Sequence, residues 1–352
     1  MRVAWFPKAS DLPNNPYWEL LRRELERMGI EFETSHNSYW MTYRWLWQHR
    51  NRVDVLHFHF IQSHYASANQ RGSLRRLAKF SHYLLVARLL GYRIVWTAHD
   101  LMPTWPMPPQ WVEWLARLTM ARLAHRVMVH CDRARQLLRE HFGIRNRISV
   151  VPHPSYHGAY PNAVSKAVAR ESLGIGQDCF VAGFVGGIRP NKGIEELIST
   201  FAKLSSPDAV LLVAGKPWQP DSYVARVEAL AAMDPRVRFT PERIPDGDLQ
   251  RYLQAADVLV FPFTRVLTSG SVVLAMSFGR PVIVPRLGCL PELIGTDSGF
   301  VYDPQEPHAL GAALERAMGS NLTRMGAAAA NRVNAVTWRD LARRTEGVYR
   351  RP

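Results

Sequence analysis

The sequence predicts an α/β fold made of two doubly wound, Rossmann-like domains in series, facing each other across a cleft. Three observations predict it. Short apolar runs alternate with longer helical patterns along nearly the whole chain. The alternation pauses once, at His153–Asn162 (HPSYHGAYPN), a stretch rich in Pro, Gly and Tyr that reads as a linker, and then restarts. The length, 352 residues, corresponds to roughly two domains at about 150 residues each. Strands that alternate with helices form parallel sheets through right-handed crossovers.

The strand-like runs of the first half are Val3–Phe6, Ile30–Thr34, Val53–Phe58, Ile94–Thr97, Val127–His130 and Ile148–Val151. Helical patterns lie between them, for example Tyr17–Met28 and Trp111–Ala124. In the second half the runs are Phe180–Val185, Val210–Ala214, Val237–Thr240, Val258–Phe261, Val282–Val284 and Phe300–Tyr302. Helices fit Ile194–Leu204, Tyr223–Met233, Asp248–Ala255, Gly270–Phe278 and Pro307–Met318. The domains are therefore set at 1–160 and 161–335, and 336–352 reads as a C-terminal helix able to pack back on the first domain.

Composition narrows the class. Hydrophobic residues at 47% and charged residues at 21% exclude a disordered chain. No run of 18 or more uncharged apolar residues occurs, so no transmembrane helix is expected. The opening MRVAWFPKAS has too short an apolar run for a secretory signal and reads as a first strand. Three cysteines are too few and too scattered for a disulfide framework or a zinc site. A cytoplasmic location is the expectation.

The net charge is +14, from 44 basic and 30 acidic residues. Residues 1–160 hold 22 basic and 11 acidic side chains, a net of +11, which leaves +3 for the rest. The first half is thus suited to an anionic partner or is kept soluble by its charge. Within it, SYWMTYRWLWQHRNR (38–52) mixes Trp40, Trp45 and Trp47 with arginines. SLRRLAKFSHYLLVARLLGYR (73–93) repeats Leu74, Leu77, Phe80, Leu84 and Leu85 at helical spacing among Arg75, Arg76 and Lys79. Aromatic and basic residues on amphipathic helices suit an anionic membrane surface. The plain alternative is a domain helix with a solvated basic face. No nucleic-acid recognition module is legible, so a nucleic acid is not the expected partner.

In doubly wound sheets, ligands bind beyond the carboxyl ends of the strands. That rule selects the turns after Phe6, His59, Thr97, Val185, Ala214, Thr240 and Phe263, where most of the unusual polar residues fall. FVGGIRPNKG (184–193) ends a strand in Gly186-Gly187, adds Arg189 and Lys192, and starts a helix. Paired glycines admit a ligand to the backbone, and a helix N-terminus with two cations attracts phosphate; the alternative is a turn with surface cations. TSGS (268–271) opens another helix after a strand, giving Ser269, Gly270 and Ser271 an anion-binding geometry or an ordinary N-cap. TAHD (97–100) places His99 and Asp100 at a strand end, where a His can donate a hydrogen bond or carry a proton, or simply pack. DVLHFH (54–59) puts His57 and His59 on one side of a strand without a further ligand set, so a metal site is not expected. PNNPY (13–17) offers Asn14 and Asn15 to a ligand or to the helix cap.

Taken together and in this order, DVLHFH, VWTAHD (95–100), RVMVHCDRARQLL (126–138), ISVVPHP (148–154), FVGGIRPNKGIEELISTF (184–201), LLVAGKP (211–217), LQAADVLVFPF (253–263) and AMSFGRPVIVPRLGCLPELI (275–294) resemble the GT-B glycosyltransferases. The likeness covers nearly the whole chain and is to the family 4-like group known for a Glu-x7-Glu motif. The resemblance implies a nucleotide-sugar donor held mainly by the second domain and an acceptor by the first. It implies that Gly187, Arg189, Lys192, Ser269, Gly270 and Ser271 meet the donor diphosphate, that Lys216, Arg243 and Ile244 lie by the nucleoside, and that His99 faces the transferred sugar. Asn14, Asn15 and His59 would line the acceptor side. The positions of the two motif glutamates are occupied by Val266 and Leu274, so the roles of those glutamates do not carry over, and retention or inversion is left open. If the enzyme inverts, Asp100 or His99 is the candidate base. The opening segment, the linker and the TSGS loop resemble bacterial exopolysaccharide mannosyltransferases of xanthan-type assembly. The expected function is transfer of a sugar, with GDP-mannose as the leading donor, to a lipid-linked or membrane-proximal glycan. No cofactor or metal is expected beyond the co-substrate, and the protein is expected on the inner face of the membrane. The alternative is a catalytically silent GT-B protein that binds a nucleotide or glycan.

Overall fold

The computed structural model describes residues 1–12, 15–37, 41–102, 109–218 and 221–351. They form two compact units, one of Met1–His153 with Val336–Pro352, the other of Pro154–Ala335.

The first unit holds a parallel sheet of six strands: β1 (Arg2–Phe6), β2 (Glu31–Phe32), β3 (Val55–Phe58), β4 (Arg93–Thr97), β5 (Arg126–Val129) and β6 (Ile148–Val150). Their order is β2-β1-β3-β4-β5-β6. The second unit repeats the plan with β7 (Phe180–Val185), β8 (Ala209–Ala214), β9 (Val237–Thr240), β10 (Val258–Val260), β11 (Val282–Pro285) and β12 (Gly299–Tyr302), ordered β12-β11-β10-β7-β8-β9. Every pairing is parallel. The strands are near-continuous apolar runs because helices cover both faces of such sheets. The strand-like runs in the sequence all become strands, although Ile30–Thr34 shortens to the two residues of β2, an edge strand whose only partner is β1.

Each sheet reverses direction once. In the first, the chain goes from β1 outward to β2 and returns to the other side of β1 as β3. In the second, β7 leads to β8 and β9, and β10 returns beside β7. Crossover helices on the two sides of the reversal lie on opposite faces, which opens a crevice at the carboxyl ends of the two central strands.

The helix starts follow their sequence signals. Asn15 caps Pro16–Arg27, accepting from the Tyr17 N–H at 3.1 Å, with Pro16 at the first helical position. Asn69 caps the 20-residue helix Gln70–Leu89, in which Leu77, Phe80 and Leu84 are buried. The predicted spacing of that helix places Leu85 outward instead of inward. Short helices such as Gln62–Tyr65 and Lys166–Ser172 lack the periodicity needed to be seen in sequence. Gln62–Tyr65 is fastened to Gln110–Leu123 by a buried cluster. Arg117 donates to Glu113 at 2.8 Å and to the Tyr65 hydroxyl at 2.9 Å, and that hydroxyl in turn donates to Glu113.

The C-terminal helix Trp338–Arg350 packs into the first unit. A capping box between Thr337 and Asp340 starts it. Leu341, Ala342, Val348 and Tyr349 join Trp18, Leu21 and Leu25 of Pro16–Arg27 in one buried cluster with Trp5 and Val55. The expected cost of Leu341→Ala, a fully buried side chain, is about 2–5 kcal/mol. Urea unfolding followed by near-ultraviolet circular dichroism checks it; a loss below about 1 kcal/mol would show that the helix is dispensable to the unit.

Candidate active site

In the first unit four consecutive strands each deliver a histidine just past the carboxyl end: His59 after β3, His99 after β4, His130 after β5 and His153 after β6. His57, the penultimate residue of β3, lies beside His59 with ring centroids 4.0 Å apart, as their two-residue spacing predicts. The first turn of Pro16–Arg27 supplies the floor. Trp18 meets His59 edge-on at 4.2 Å, and Tyr17 lies 5.6 Å from His99, 6.0 Å from His130 and 5.2 Å from His153.

Hydrogen bonds fix several protons. The Trp5 indole can only donate, and it donates to the Tyr349 hydroxyl at 3.0 Å. The same hydroxyl lies 2.6 Å from His57 Nδ1, in a hydrogen bond whose direction follows the imidazole tautomer. His57 Nε2 is bonded to Thr97 Oγ1 at 2.8 Å, so both nitrogens of His57 are engaged. His130 Nδ1 donates to the Val151 carbonyl at 2.8 Å, which leaves Nε2 as an acceptor. His59 Nδ1 and His99 Nε2 share one hydrogen bond of 3.2 Å.

Burial holds these imidazoles neutral. It lowers His57 to about 3, takes His59 and His99 well below 6.5, and lowers His130; the neighbouring imidazoles add to the effect at His59 and His99. Four buried polar atoms here have no hydrogen-bond partner within the protein: Tyr17 Oη, Trp18 Nε1, His59 Nε2 and His130 Nε2. Unmet buried donors and acceptors are costly without a partner. A neutral mix of both on aromatic walls suits a ligand made of hydroxyls and C–H faces. Among the described residues no three His, Cys, Asp or Glu groups are arranged to hold a metal. Asp100 follows His99 in the same loop, half-buried. Asn15 is engaged in capping, and Asn14 lies outside the described residues.

In the second unit, the loops after β7 and β10 lie on either side of the sheet reversal and are locked together. Gly193, at φ 67°, starts helix Ile194–Phe201 so close to β10's loop that a Cβ would stand 2.0 Å from the Pro262 carbonyl oxygen. Thr264 N donates to the Asn191 carbonyl at 3.1 Å, and Lys192 Nζ stands 4.1 Å from the centre of the Phe263 ring. Ser269 caps helix Gly270–Ser277, its hydroxyl accepting from Val272 N at 3.4 Å. A Cβ on Gly186 would lie 3.4 Å from the Ser271 hydroxyl. Gly186, Gly187, Arg189 and Lys192 thus share one neighbourhood with Ser269, Gly270 and Ser271. Lys216 follows β8, exposed, and Arg243 and Ile244 follow β9, Arg243 exposed and Ile244 buried.

Four residues beyond the sequence reading belong to these sites. His130 and His153 fall one and three residues past a strand, with no further signal in the sequence to mark them. Trp218 lies next to Gly187. Tyr156 lies over the start of Gly270–Ser277, its hydroxyl 3.3 Å from where a Gly270 Cβ would be. The stretch read as a linker is bound to the second unit, because the Ser277 hydroxyl accepts from Tyr156 N at 2.9 Å and from Ser155 Oγ at 3.1 Å.

The neutral histidines predict acid sensitivity. Their pKa values are depressed in the folded state, so the unfolded chain binds more protons below about pH 6.5 and stability falls as pH drops. For His57 the window runs from 6.5 down to about 3, at a slope approaching about 1.4 kcal/mol per pH unit. Urea midpoints between pH 7.5 and 5 should fall steadily, and less steeply for His57→Gln. Equal slopes for the two proteins would show that His57 is not buried neutral.

Comparison with known proteins agrees with this geometry. The model for glycosyltransferase family 4 matches residues 7–154, and that for glycosyl transferases group 1 matches 179–320. A D-inositol 3-phosphate glycosyltransferase of Corynebacterium glutamicum is 30% identical over 217 residues, 58% of this chain and 51% of that protein. The chain therefore spans about half the length of that relative. A GDP-mannose:glycolipid 4-beta-D-mannosyltransferase of Xanthomonas campestris is 24% identical over 273 residues, covering 74% of this chain and 70% of the other. The sucrose-phosphate synthase structure from Thermosynechococcus elongatus superposes with a TM-score of 0.77 at 18% identity, covering 99% and 98% of the two chains. The chain has the GT-B glycosyltransferase fold, its first half matching the family 4 model and its second half the group 1 model.

Proposed function

We propose that the chain is a sugar-nucleotide-dependent glycosyltransferase that moves a sugar from a nucleoside diphosphate to a hydroxyl of a lipid-linked or glycan acceptor. The observation that carries the reading is the joining of the β7 and β10 loops, which gathers Arg189, Lys192, two glycines and the start of Gly270–Ser277 in one place. That is a site for a diphosphate. Breaking the sugar–phosphate bond leaves a nucleoside diphosphate whose new charge the two cations and the helix dipole stabilise. The charge needs no metal in this scheme, so transfer should persist in chelator.

The first unit's neutral cluster takes the acceptor, with His99 and His59 as hydrogen-bonding groups. Asp100 or His99 is the base if the reaction inverts, and burial weakens the hold of His99 on an abstracted proton. The mannosyltransferase relative supports GDP-mannose as donor and a glycolipid as acceptor, in polysaccharide or glycolipid synthesis. Val266 and Leu274 favour a second reading, a silent protein that binds the nucleotide without turnover.

Donor hydrolysis or transfer separates the two readings. Lys192→Ala should lower turnover or donor affinity by about 10-fold or more, the loss of a charge-assisted contact. Unchanged kinetics would sink the diphosphate assignment, and nucleotide binding without turnover would favour the silent protein.

The acceptor's place is read from the outer surface of three helices. Tyr43, Trp47, Leu85, Leu89, Trp111 and Trp114 are exposed on Tyr43–His49, Gln70–Leu89 and Gln110–Leu123. Tyr43 Oη and His82 Nδ1, 2.6 Å apart, join the first two helices, and the third packs on the second. Residues 55–99 contain no Asp or Glu, while Arg71, Arg75, Lys79 and Arg88 are exposed there. Among the described residues no helix is long and apolar enough to cross a membrane. The surface instead fits the cytoplasmic face of an anionic bilayer. The protein should co-sediment with vesicles of anionic lipid and not with zwitterionic ones, and the triple change Arg71→Glu, Arg75→Glu, Lys79→Glu should abolish this. Equal recovery with both lipids would remove the electrostatic part of the reading.

A further inference from the structure

We propose that Trp218 is the platform on which the donor's nucleobase stacks, an inference that rests on the donor reading above and deepens it. β7 and β8 pair along their full length, from Phe180 opposite Ala209 to Val185 opposite Ala214. The pairing continues past both strand ends. Gly186 N donates to the Ala214 carbonyl at 3.0 Å, Ile188 N to Lys216 at 2.9 Å, and Trp218 N to Ile188 at 2.9 Å, with Ile188 bridged to Pro217.

Two of the three glycines in this extension are crowded. Gly215 sits at φ 150°, and a Cβ there would fall 1.8 Å from the Gly186 carbonyl oxygen. A Cβ on Gly187 would fall 2.9 Å from the Trp218 indole nitrogen. The indole is therefore seated on the Gly187 backbone by a regular ladder, yet 54% of Trp218 remains exposed. Arg189 and Lys216 each hold a cation 5.8 Å from its ring centre. An aromatic surface beside two cations matches a flat heteroaromatic ring that is joined to phosphates.

Sheet order supplies the direction. The proposed diphosphate loops follow β7 and β10, which are adjacent. A nucleoside continuing along the carboxyl edge passes over β8 and β9 on one side or β11 and β12 on the other. The loop after β8 carries Trp218, while the stretch after β11 reads RLGC and carries no aromatic ring. The base therefore runs toward β8 and the Arg243–Ile244 loop.

Calorimetric titration of the full chain with UDP, GDP, ADP and TDP, with inorganic diphosphate as control, tests the assignment. Trp218→Ala should weaken the preferred nucleoside diphosphate roughly 5- to 150-fold, the range of one base stack. Trp218→Phe should restore most of the affinity, and inorganic diphosphate should bind all three proteins alike. The nucleotide-induced change in tryptophan fluorescence should shrink in Trp218→Phe. Unchanged nucleotide affinity in Trp218→Ala would overturn the platform, as would an equal loss for inorganic diphosphate, which would make Trp218 a support for the cations. A loss confined to the sugar conjugate would move the stack to the hexose. If the wild-type chain bound none of the nucleotides, the donor reading itself would fall, and the platform with it.

Discussion

A parallel strand cannot be joined to its neighbour by a tight turn, and most of what this chain places in its two sites follows from that constraint. The chain must cross back over the sheet after each strand, so every strand leaves the sheet at the same edge. Six carboxyl ends are gathered in each unit, and the segments that follow them are free of ladder geometry. Histidines 59, 99, 130 and 153 are dispersed over 95 positions of sequence, counted inclusively from 59 to 153, yet they meet because β3, β4, β5 and β6 are neighbours in order. The glycine loop after β7 and the serine loop after β10 meet for the same reason, since the reversal in the second sheet makes those two strands adjacent.

The two edges have opposite electrical character. In the second unit cations, glycine backbone and a helix start suit a ligand that carries charge. In the first unit burial strips charge from the imidazoles and leaves neutral donors and acceptors, which suit hydroxyl groups. A cationic histidine cluster would give both edges the same attraction for anions. Burial thus sets the neutral character of that edge. The basic surface of the first unit includes Arg71, Arg75, Lys79 and Arg88, exposed on Gln70–Leu89.

Much of this was legible in the sequence. All twelve strand-like runs became strands, because a strand covered on both faces needs an unbroken apolar run and little else. Arg189, Lys192 and the TSGS helix start were legible because glycine and hydroxyl residues at a strand end are rare signals. His130 and His153 were not, since HCDRA and VVPHP carry no spacing that separates a site histidine from a packed one. Trp218 was hidden for another reason. Its position depends on a ladder running past the strand ends, and glycine and proline in GKPW read as the end of regular structure. Tyr156 was concealed inside a segment whose composition signals a linker, while the bonds that bind it come from Ser277, over a hundred residues later.

The Trp5–Tyr349–His57–Thr97 chain decides which histidines are available for chemistry. Both nitrogens of His57 are committed, one to the Tyr349 hydroxyl and one to Thr97 Oγ1. His57 is therefore structural despite lying within the cluster. His130 spends its one proton on Val151 and keeps a lone pair. His59 and His99 share one hydrogen bond, and Nε2 of His59 stays outside it. One partner of His57 is Tyr349 of Trp338–Arg350, so the C-terminal helix does more than fill the core. By engaging His57 it leaves Nε2 of His59 and Nε2 of His130 as buried imidazole nitrogens without a hydrogen-bond partner in the protein, and it ties the setting of His57 to the docking of the last helix.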